Sequence, residues 1–328
     1  KRQLRETKNK RRQELSPLDE LKKITRDLSA YFSNTRVMTG DDFYQWMVKW
    51  FNPNPKNFQG KVNDLLKACP YPDGELPYGW DLSEQIFFNA PVSKEPYWVF
   101  DDKYHSVIGL QALQRSPRAG ELSAELKQLD YTYALMDKLP EGSIINVTFV
   151  CKSDDETKKH LKKVEETARG RKSLAIATRE QAIQADSALA RGHKIYPAMV
   201  NVYLRGDSKE AININEEQDS SLLNRHGLKI INSNHELVSL HNYLTFLPMN
   251  YDYHFDQKNL YRSRYMHLED IAKLMPIYGR DRGTVHPNFV FFNRGGEPIS
   301  FDPFKDKSNT SHLFLVGDTG TGLSLIHI

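Results

Sequence analysis

The sequence is poor in cysteine and has no long apolar segment. Its two cysteines, Cys69 and Cys151, are too few for a disulfide framework and match no zinc-ligand spacing. The apolar runs all fall short of the roughly 18 residues that a membrane-spanning helix requires. These shortages argue against a disulfide-stapled secreted domain and against a membrane-spanning protein. We therefore expect a cytoplasmic protein that meets a membrane only at its periphery or through a partner.

The chain as a whole has little excess of positive over negative charge, since its formal net charge is +3. So small an excess does not by itself indicate a nucleic-acid partner. The charges are unevenly placed, however, because the chain begins with the strongly basic segment KRQLRETKNKRRQEL. Such an arm is either a solvated extension or a contact for anionic lipid or nucleic acid, and its composition leaves these alternatives open.

Residues 1–90 are predicted to contain this basic arm, helices and an aromatic, proline-rich connector. Ser16 is a candidate N-cap, and apolar residues follow it at helical spacing: Leu18, Leu21, Ile24 and Leu28. A second helix is expected from residue 41 to 50, with an apolar stripe facing a core: Phe43, Trp46, Met47 and Trp50. The connector, residues 69–90, contains too many large apolar groups to remain a solvated linker.

Residues 91–285 are predicted to form an α+β domain in which strands and helices alternate. Strand-like runs occupy residues 97–100, 105–113, 143–151, 195–204 and 228–231. Helices are expected between them at residues 120–139, at residues 154–192 with a break near Gly170, and at residues 207–225. Two β-α-β units result, and we expect them to form a split β-α-β arrangement.

Four histidines of this domain raise the question of a metal site: His235, His241, His254 and His267. Their spacing is irregular, and no pair stands four residues apart as in a helical zinc motif. We therefore expect ordinary histidines and no bound metal.

Residues 286–322 are predicted to form a β-hairpin followed by the start of a nucleotide-binding domain. Strand-like runs at residues 288–292 and 298–301 flank Arg294, Gly295 and Gly296, which is a strong hairpin signal. The hairpin either contacts the base or ribose of a nucleotide or is a purely structural edge.

The glycines near the end of the sequence carry the clearest chemical signal. Leu313–Val316 has the pattern of a strand buried on both faces, and Gly317 and Gly322 follow at the spacing of GxxxxGK[ST]. Backbone N–H groups must curl around a phosphate there, and a Cβ would obstruct them. This segment predicts the P-loop of a RecA-like α/β ATPase domain, with these candidate nucleotide-binding residues: Gly317, Asp318, Thr319, Gly320, Thr321, Gly322 and Ser324.

One residue breaks the motif, because Leu323 stands where a lysine should reach the β- and γ-phosphates. Such a lysine interacts with a phosphate charge about 4 Å away by roughly 4 kcal/mol, so we expect this loop to hold nucleotide poorly. Residues 323–328, LSLIHI, correspond to the codons CTG TCT CTT ATA CAC ATC, which resemble a transposon end used to prepare sequencing libraries. We interpret these residues as adapter translation that interrupts an intact P-loop.

The hairpin and the loop together resemble a known family. The segment FFNRGGEPISFDPF, a polar turn and HLFLVGDTGTG are similar to the entry into the motor domain of conjugative-transfer ATPases of type IV secretion systems, the TraC and VirB type. The upstream segments YPDGELPYGWDLSEQIFF and LPEGSIINVTFV also resemble the N-terminal half of those proteins. The similarity extends over nearly the whole chain up to Gly322.

The resemblance implies an ATPase that uses ATP and Mg²⁺ in its full-length form and energises channel or pilus assembly and DNA transfer. It implies a homo-oligomer that works with other type IV secretion subunits in the cytoplasm, at the periphery of the inner membrane, and it leaves contact with DNA open. A Walker B carboxylate and any arginine finger would follow Gly322, so we expect this chain alone to be inactive. We also expect an exposed apolar patch where the motor domain would pack.

Two other interpretations remain open. The chain is a stand-alone docking or assembly module with a degenerate nucleotide loop, or it belongs to an unrelated nucleotide-dependent DNA motor. An in-frame lysine and a following α/β domain would favour the secretion ATPase, whereas a stop codon after Ile328 would favour the module.

Overall fold

The computed structural model describes residues 16–32, 36–72, 85–128, 131–170, 172–231, 233–277, 283–284, 288–292 and 298–304. The chain divides into two units, Lys1–Pro91 and Val92–Ile328. In the part of the chain so described, no helix is both long and apolar enough to cross a bilayer.

The first unit is helical, as predicted. Helix α1 spans Pro17–Tyr31, α2 spans Gly40–Phe51 and α3 spans Val62–Ala68. Ser16 caps α1 by accepting a hydrogen bond from the backbone N–H of Asp19. Thr39 and Asp42 form a capping box at the start of α2, which satisfies donors that the first helical turn leaves free.

The core of this unit lies between α2 and α3. Tyr44, Val48 and Leu65 are buried there, and the Tyr44 hydroxyl donates a hydrogen bond to the Cys69 carbonyl at 2.8 Å. The stripe predicted for α2 is correct for two of its members, Met47 and Trp50, which are buried. Its other two members, Phe43 and Trp46, are only partly buried and stack on each other.

Seven strands of the second unit form one sheet in the part of the chain that the structure describes. They are β1 Val92–Lys94, β2 Tyr97–Phe100, β3 Lys103–Leu113, β6 Ile144–Phe149, β7 Ile195–Gly206, β8 Leu228–Ile231 and β9 Arg264–His267. Neighbouring strands of this sheet are antiparallel, and β7 is central, with β3 and β9 along one edge and β6 along the other.

The second predicted β-α-β unit is present in split form. Helix α6, Lys209–Arg225, connects β7 to β8. Strand β3 lies between these two strands, because Gly109 pairs with Asn201 of β7 on one side and with Ile231 of β8 on the other. Since β3 is antiparallel to both, β7 and β8 run parallel to each other, which is the arrangement that the sequence led us to expect.

The helix predicted at residues 120–139 is wrong. This segment contains β4 Leu126–Gln128 and β5 Tyr131–Tyr133, which pair antiparallel, and a 3₁₀ turn at Leu135–Lys138. Gly120 has a left-handed φ of 71°, which does not continue a helix. Leu122 and Leu135 are both buried in the main core, although they reach it from separate turns. The helix was predicted from the spacing of Leu122, Leu126, Leu129, Tyr133 and Met136, which does not include Leu135, and Met136 is 44 % exposed.

The remaining helices cover the sheet and its ends. They are α4 Asp154–Thr167, α5 Ser173–Ala190, α7 Ser239–Thr245, α8 Tyr253–Phe255 with a following π-turn Asp256–Leu260, and α9 Leu268–Leu274. The break predicted near Gly170 separates α4 from α5. The predicted hairpin is confirmed as β10 Phe289–Phe292 and β11 Pro298–Phe301, which pair antiparallel.

Alternating residues of the central strands pack on opposite faces of the sheet, as the two-residue period of a strand requires. On one face, Ile108, Val202 and Leu204 join Ile212 and Leu223 of α6 in the main core. On the other face, His105 and Tyr203 meet Tyr243 of α7. The sheet is therefore covered by α6 on one side and by α7 on the other.

Candidate functional site

The predicted P-loop lies outside the residues that the structure describes. This applies to Gly317, Asp318, Thr319, Gly320, Thr321, Gly322 and Ser324, and also to Leu323. The described features nearest to it in the sequence are the β10–β11 hairpin and its supports.

The hairpin is held at its base by Asp302, which is buried. Its Oδ1 accepts hydrogen bonds from Asn288 Nδ2 and from the backbone N–H of Phe304, each at 3.0 Å. The backbone N–H of Thr284 donates to the Ser300 carbonyl at 2.7 Å. Gly283 has a left-handed φ of 75°, and a Cβ there would lie 1.6 Å from the same carbonyl oxygen, so only glycine allows this close approach.

The hairpin exposes apolar side chains on both faces. The residues of β10 and the nearby Phe304 are between 53 and 77 % exposed: Phe289, Val290, Phe291, Phe292 and Phe304. Strands with apolar residues on both faces are usually covered on both sides in the folded protein. A contiguous apolar surface that is exposed commonly marks an interaction site. The described part of the hairpin therefore presents an exposed apolar surface. That a motor domain packs on this surface stays a prediction.

A buried carboxylate, Glu121, joins three segments of the second unit. Its Oε1 lies 3.0 Å from Arg115 Nη2 and 2.8 Å from His226 Nδ1. Its Oε2 accepts a hydrogen bond from the backbone N–H of Arg118 at 2.8 Å. His226 Nε2 lies 3.3 Å from the Tyr133 hydroxyl. The cluster thus connects the loop after β3, the β4–β5 pair and the end of α6.

The charges around Glu121 determine its protonation. Burial raises the pKa of Glu121, but hydrogen bonds from Arg118, His226 and Arg115 outweigh that effect and lower the pKa to about 2. Glu121 therefore remains ionised at neutral pH and holds its partners by charge-assisted hydrogen bonds. Because Glu121 and His226 are both buried, this cluster is suited to fixing the fold rather than to receiving a substrate.

Two acidic residues, Glu216 and Asp219, lie on the buried face of α6. The Ser233 hydroxyl lies 2.6 Å from both carboxylate oxygens of Glu216. Asp219, one turn later, is also buried, and its Oδ2 has no hydrogen-bond partner among the described residues. Burial raises the pKa of Glu216, and burial together with repulsion from Glu216 raises the pKa of Asp219 to about 7.

A cleft of about 820 Å³ lies between α5, β9, α9 and the end of β3. Polar side chains that line the cleft are hydrogen-bonded to one another. Lys273 Nζ donates to Ser116 Oγ at 3.0 Å, and Ser116 Oγ donates to Asp270 Oδ1 at 2.6 Å. His193 Nδ1 lies 3.0 Å from Glu269 Oε1. These contacts link the walls of the cleft.

The histidines do not converge on one point in the described residues. Within those residues, no group of three His, Cys, Asp or Glu side chains could hold a metal ion. His193 and His267 contact each other edge to face. His105 lies 3.1 Å from the Tyr243 hydroxyl through its Nδ1, and burial together with the charge of Arg205 lowers the pKa of His105 to about 3.

These observations define the structural class of the protein. The described chain is an α+β protein of two units, with a mostly antiparallel sheet, buried ionic contacts that tie its loops, and an exposed aromatic hairpin. The family model described as TraC protein matches residues 2–251. The chain therefore belongs to the TraC family and is a component of a conjugative, type IV transfer system, as the resemblance in its sequence indicated. No curated protein sequence matches it.

The family match includes α1 to α7 and ends before β9, the hairpin and the predicted P-loop. Sequence reasoning missed both buried acidic sites. Glu216 and Asp219 were detectable in principle, since they lie on the same helix face as Ile212 and Leu223. Glu121 and His226 were not detectable, because 105 positions separate them.

Proposed function

We propose that this chain is the N-terminal part of a conjugative-transfer ATPase whose full-length form energises channel or pilus assembly and DNA transfer by hydrolysing ATP. One observation carries the proposal. A chain of the TraC family continues, after the matched residues, into the strand-like run Leu313–Val316 and the glycines Gly317, Gly320 and Gly322. The family membership and the P-loop pattern are independent features of one sequence.

The chemistry follows from the loop. In the full-length protein, backbone N–H groups of residues 317–322 would hold the β- and γ-phosphates of ATP, and the hydroxyl at position 324 would hold Mg²⁺. Water would attack the γ-phosphate in line with the departing ADP, and the bound Mg²⁺ would supply charge neutralisation at the phosphates. A lysine at the position of Leu323 and a later Walker B carboxylate complete the site. Without them, the 328-residue chain binds ATP weakly and turns over none.

The hairpin has a defined part in this proposal. It precedes the predicted first strand of the motor domain by few residues, and its aromatic side chains are exposed on both faces. Burial of this surface against the strand Leu313–Val316 and the rest of a motor domain accounts for its composition. The hairpin then serves as the structural edge of the nucleotide domain or contacts the base or ribose.

Family membership supports a proposal for the location and partners of the full-length protein. The full-length protein acts in the cytoplasm at the periphery of the inner membrane, as a homo-oligomer that contacts other type IV secretion subunits.

A second candidate function is a docking or assembly module with a degenerate loop. Leu323 favours it, because a leucine at this position removes the cation that binds the phosphates. In this case the aromatic hairpin contacts another subunit of the transfer apparatus.

Resequencing the locus from an independently prepared library distinguishes the two functions. We expect codons for Lys and for Ser or Thr directly after Gly322, followed in frame by a long α/β domain. The extended protein should then hydrolyse ATP and should lose that activity when the loop lysine is replaced by alanine.

Two results would overturn the proposal. A genuine leucine codon at position 323 with a stop codon after Ile328 would establish the module. ATP turnover by the 328-residue chain that persists through repurification would show that the chain needs no further domain.

A further inference from the structure

Strand β9 pairs on one side only in the part of the chain that the structure describes. Strand β3 pairs with β7 as far as Gly109 and then continues beside β8. Residues 195–198 of β7 pair with β9 instead. The end of β3 and β9 therefore flank a gap in the sheet, and the cleft of about 820 Å³ lies at this gap. We call it the β9 cleft.

The backbone hydrogen bonds between β7 and β9 fall on alternate residues of β9, as in any antiparallel pair. The N–H of Leu268, the residue after β9, donates to the Lys194 carbonyl at 2.8 Å. The residues two and four positions before Leu268 therefore bond to β7 as well. Tyr265 and His267 lie between them, so their backbone N–H groups point away from β7 and towards the gap.

A contact on the other side of β7 supports this alternation. Pro197 lies opposite Tyr265, but its carbonyl accepts a hydrogen bond at 3.0 Å from the N–H of Val150, on the β6 side. Among the described residues, nothing bonds to the N–H or C=O of Tyr265 or to the N–H of His267. These three groups form a free strand edge, which is a template for pairing with another chain.

Helices cover both faces of the sheet beside β9. Tyr265 packs on one face against a cluster that contains Leu161 of α4 and Leu189 of α5. Met266, the next residue, joins Ile271 of α9 in the main core on the opposite face. The β9 cleft thus has α5 and α9 on its two sides and a strand at each edge. It accommodates a single extended chain, whereas a second folded sheet with its own covering helices would collide with α5 and α9.

The charges that line the β9 cleft leave an excess of positive charge. Three basic and two acidic residues contribute to the lining: Arg191, Arg264, Lys273, Glu269 and Asp270. Both acidic residues are engaged, since Glu269 lies 3.0 Å from His193 and Asp270 lies 3.6 Å from Lys273. Arg191 and Arg264 form no ion pair with a carboxylate of the described residues. The cleft therefore favours an occupant that supplies carboxylates.

We propose that the β9 cleft binds an extended acidic peptide segment of a partner protein, which pairs with β9 as an added strand. Backbone hydrogen bonds to Tyr265 and His267 hold the segment, and its carboxylates meet Arg191 and Arg264. Since β9 has four residues, the paired part of the segment is roughly four residues long. In this mode of recognition the main chain supplies affinity and the alternating side chains supply specificity.

This inference goes beyond the proposed function and does not depend on it. A strand added to β9 is equally compatible with a motor and with a docking module. ATP hydrolysis, or its absence, therefore has no bearing on the result.

Binding of synthetic peptides to the 328-residue chain tests the proposal. One panel consists of fluorescent eight-residue peptides in which Glu alternates with Val, Ile, Thr or Tyr. A matched panel has Lys in place of each Glu. We expect saturable binding of acidic peptides in fluorescence polarisation and binding roughly tenfold weaker, or none, for their lysine counterparts.

Two substitutions of His267 test whether the peptide pairs with the strand edge. His267→Pro removes the N–H that faces the cleft, and the φ of −62° at this residue already fits proline. His267→Ala removes the same imidazole but keeps the N–H, so it is the matched control. We expect His267→Pro to weaken binding of the acidic peptides by roughly tenfold and His267→Ala to leave it nearly unchanged.

Charge reversal tests the preference for acidic peptides. Arg191→Glu should weaken binding of the acidic panel by roughly tenfold and strengthen binding of the lysine panel. Arg179→Glu makes the same change of charge at an exposed position of α5 that does not line the cleft. It should leave the order and strength of peptide binding as in the parent chain.

Hydrogen exchange in the unaltered chain reports on the strand edge without any substitution. The backbone amides of Tyr265 and His267 should exchange rapidly in the free chain and roughly tenfold more slowly when an acidic peptide saturates it. The amide of Met266, which faces β7, should exchange slowly in both states. This measurement decides the proposal even if His267→Pro fails to fold.

Four outcomes would overturn the proposal. The first is a lack of binding by every acidic peptide, and the second is an equal loss of binding in His267→Pro and His267→Ala. The third is slow exchange of the Tyr265 and His267 amides in the free monomeric chain, which would show that this chain covers its own edge. The fourth is an oligomer in sedimentation velocity that His267→Pro dissociates, which would assign the edge to a second copy.

Discussion

His226 Nδ1 lies 2.8 Å from Glu121 Oε1, and the two residues are 105 positions apart in the chain. His226 ends α6, whereas Glu121 lies in the turn after β3. The contact fixes the segment that connects β3 to β6 against the end of the helix that covers the sheet. Arg115 and Arg118 complete the cluster from the same turn.

Replacement of Glu121 by glutamine should destabilise the protein at neutral pH by about 2–4 kcal/mol, because it leaves buried donors without their ionised acceptor. Equilibrium unfolding in urea at pH 7 measures the loss. Glu217→Gln, at an exposed position of α6, is the control and should change stability little. An equal effect of the two substitutions would contradict the role assigned to the cluster.

The same carboxylate predicts an acid dependence. The pKa of Glu121 in the folded protein is lowered from 4.5 to about 2. Its contribution is therefore fully present above the unfolded value and is lost as the pH falls through the folded value. In urea unfolding between pH 6 and pH 2, the parent chain should lose about 3 kcal/mol more than Glu121→Gln does. Parallel pH profiles for the two proteins would disprove this.

Asp219→Asn should stabilise the protein above neutral pH. The pKa of Asp219 is raised from 3.8 to about 7 in the folded state, so ionisation opposes folding, and stability increases as the pH falls from about 7 towards 4. The asparagine variant should gain roughly 2–4 kcal/mol at pH 8 and much less at pH 4. Asp186→Asn, exposed on α5, should show no such gain. A destabilised Asp219→Asn protein would show that the acid has a partner that needs its charge.

Asn52→Ala should loosen the first unit. Asn52 is buried, and its Nδ2 donates to the carbonyls of Val48 at 3.0 Å and Ile86 at 2.6 Å, while its Oδ1 accepts from the backbone N–H of Phe88 at 3.2 Å. The substitution should cost about 2–4 kcal/mol. Hydrogen exchange of the whole chain should accelerate at residues 85–90 and at the end of α2. Asn63→Ala, exposed on α3, should leave exchange there unchanged.

Phe291→Ser with Phe292→Ser should reduce binding of an apolar fluorescent dye by the chain. Both side chains are exposed in β10 among other apolar residues, so the pair removes much of the contiguous surface. Leu237→Ser removes an exposed leucine elsewhere and is the control. Equal dye binding by the double variant and the control would show that the hairpin is covered in solution.

Sequence periodicity was sufficient for elements whose apolar residues recur at a helical or strand period. It predicted α1, α2, α4, α5, α6 and the β10–β11 hairpin, because these periods appear directly in the order of residues. It was insufficient at residues 120–139. Leu122 and Met136 belong to the stripe that predicted a helix there, but they lie in two separate turns, and of these two only Leu122 is buried. A spacing that matches a helix cannot reveal which turn each residue belongs to.

The candidate sites divide in the same way. A P-loop is a local pattern, so Gly317–Gly322 could be predicted from the sequence alone, and that assignment stays a prediction. The cluster at Glu121 is not local, since its partner His226 comes from a distant segment. Glu216 and Asp219 share a helix face, but the burial that acts on them depends on the folded chain. The folded chain is needed to explain why hydrogen bonds lower the pKa of Glu121 whereas burial raises the pKa of Asp219.

By itself, the sequence determined the family, the five longer helices, most strands and the position of the nucleotide signal, because each depends on residues that are neighbours in the chain. The tertiary structure decided the order of the strands, the insertion of β3 between β7 and β8, and the pairing of Glu121 with His226. It also decided that the stripe of α1 is exposed whereas that of α2 is largely buried. Burial and charge pairing depend on what packs opposite a residue, and no local pattern in the chain contains that information.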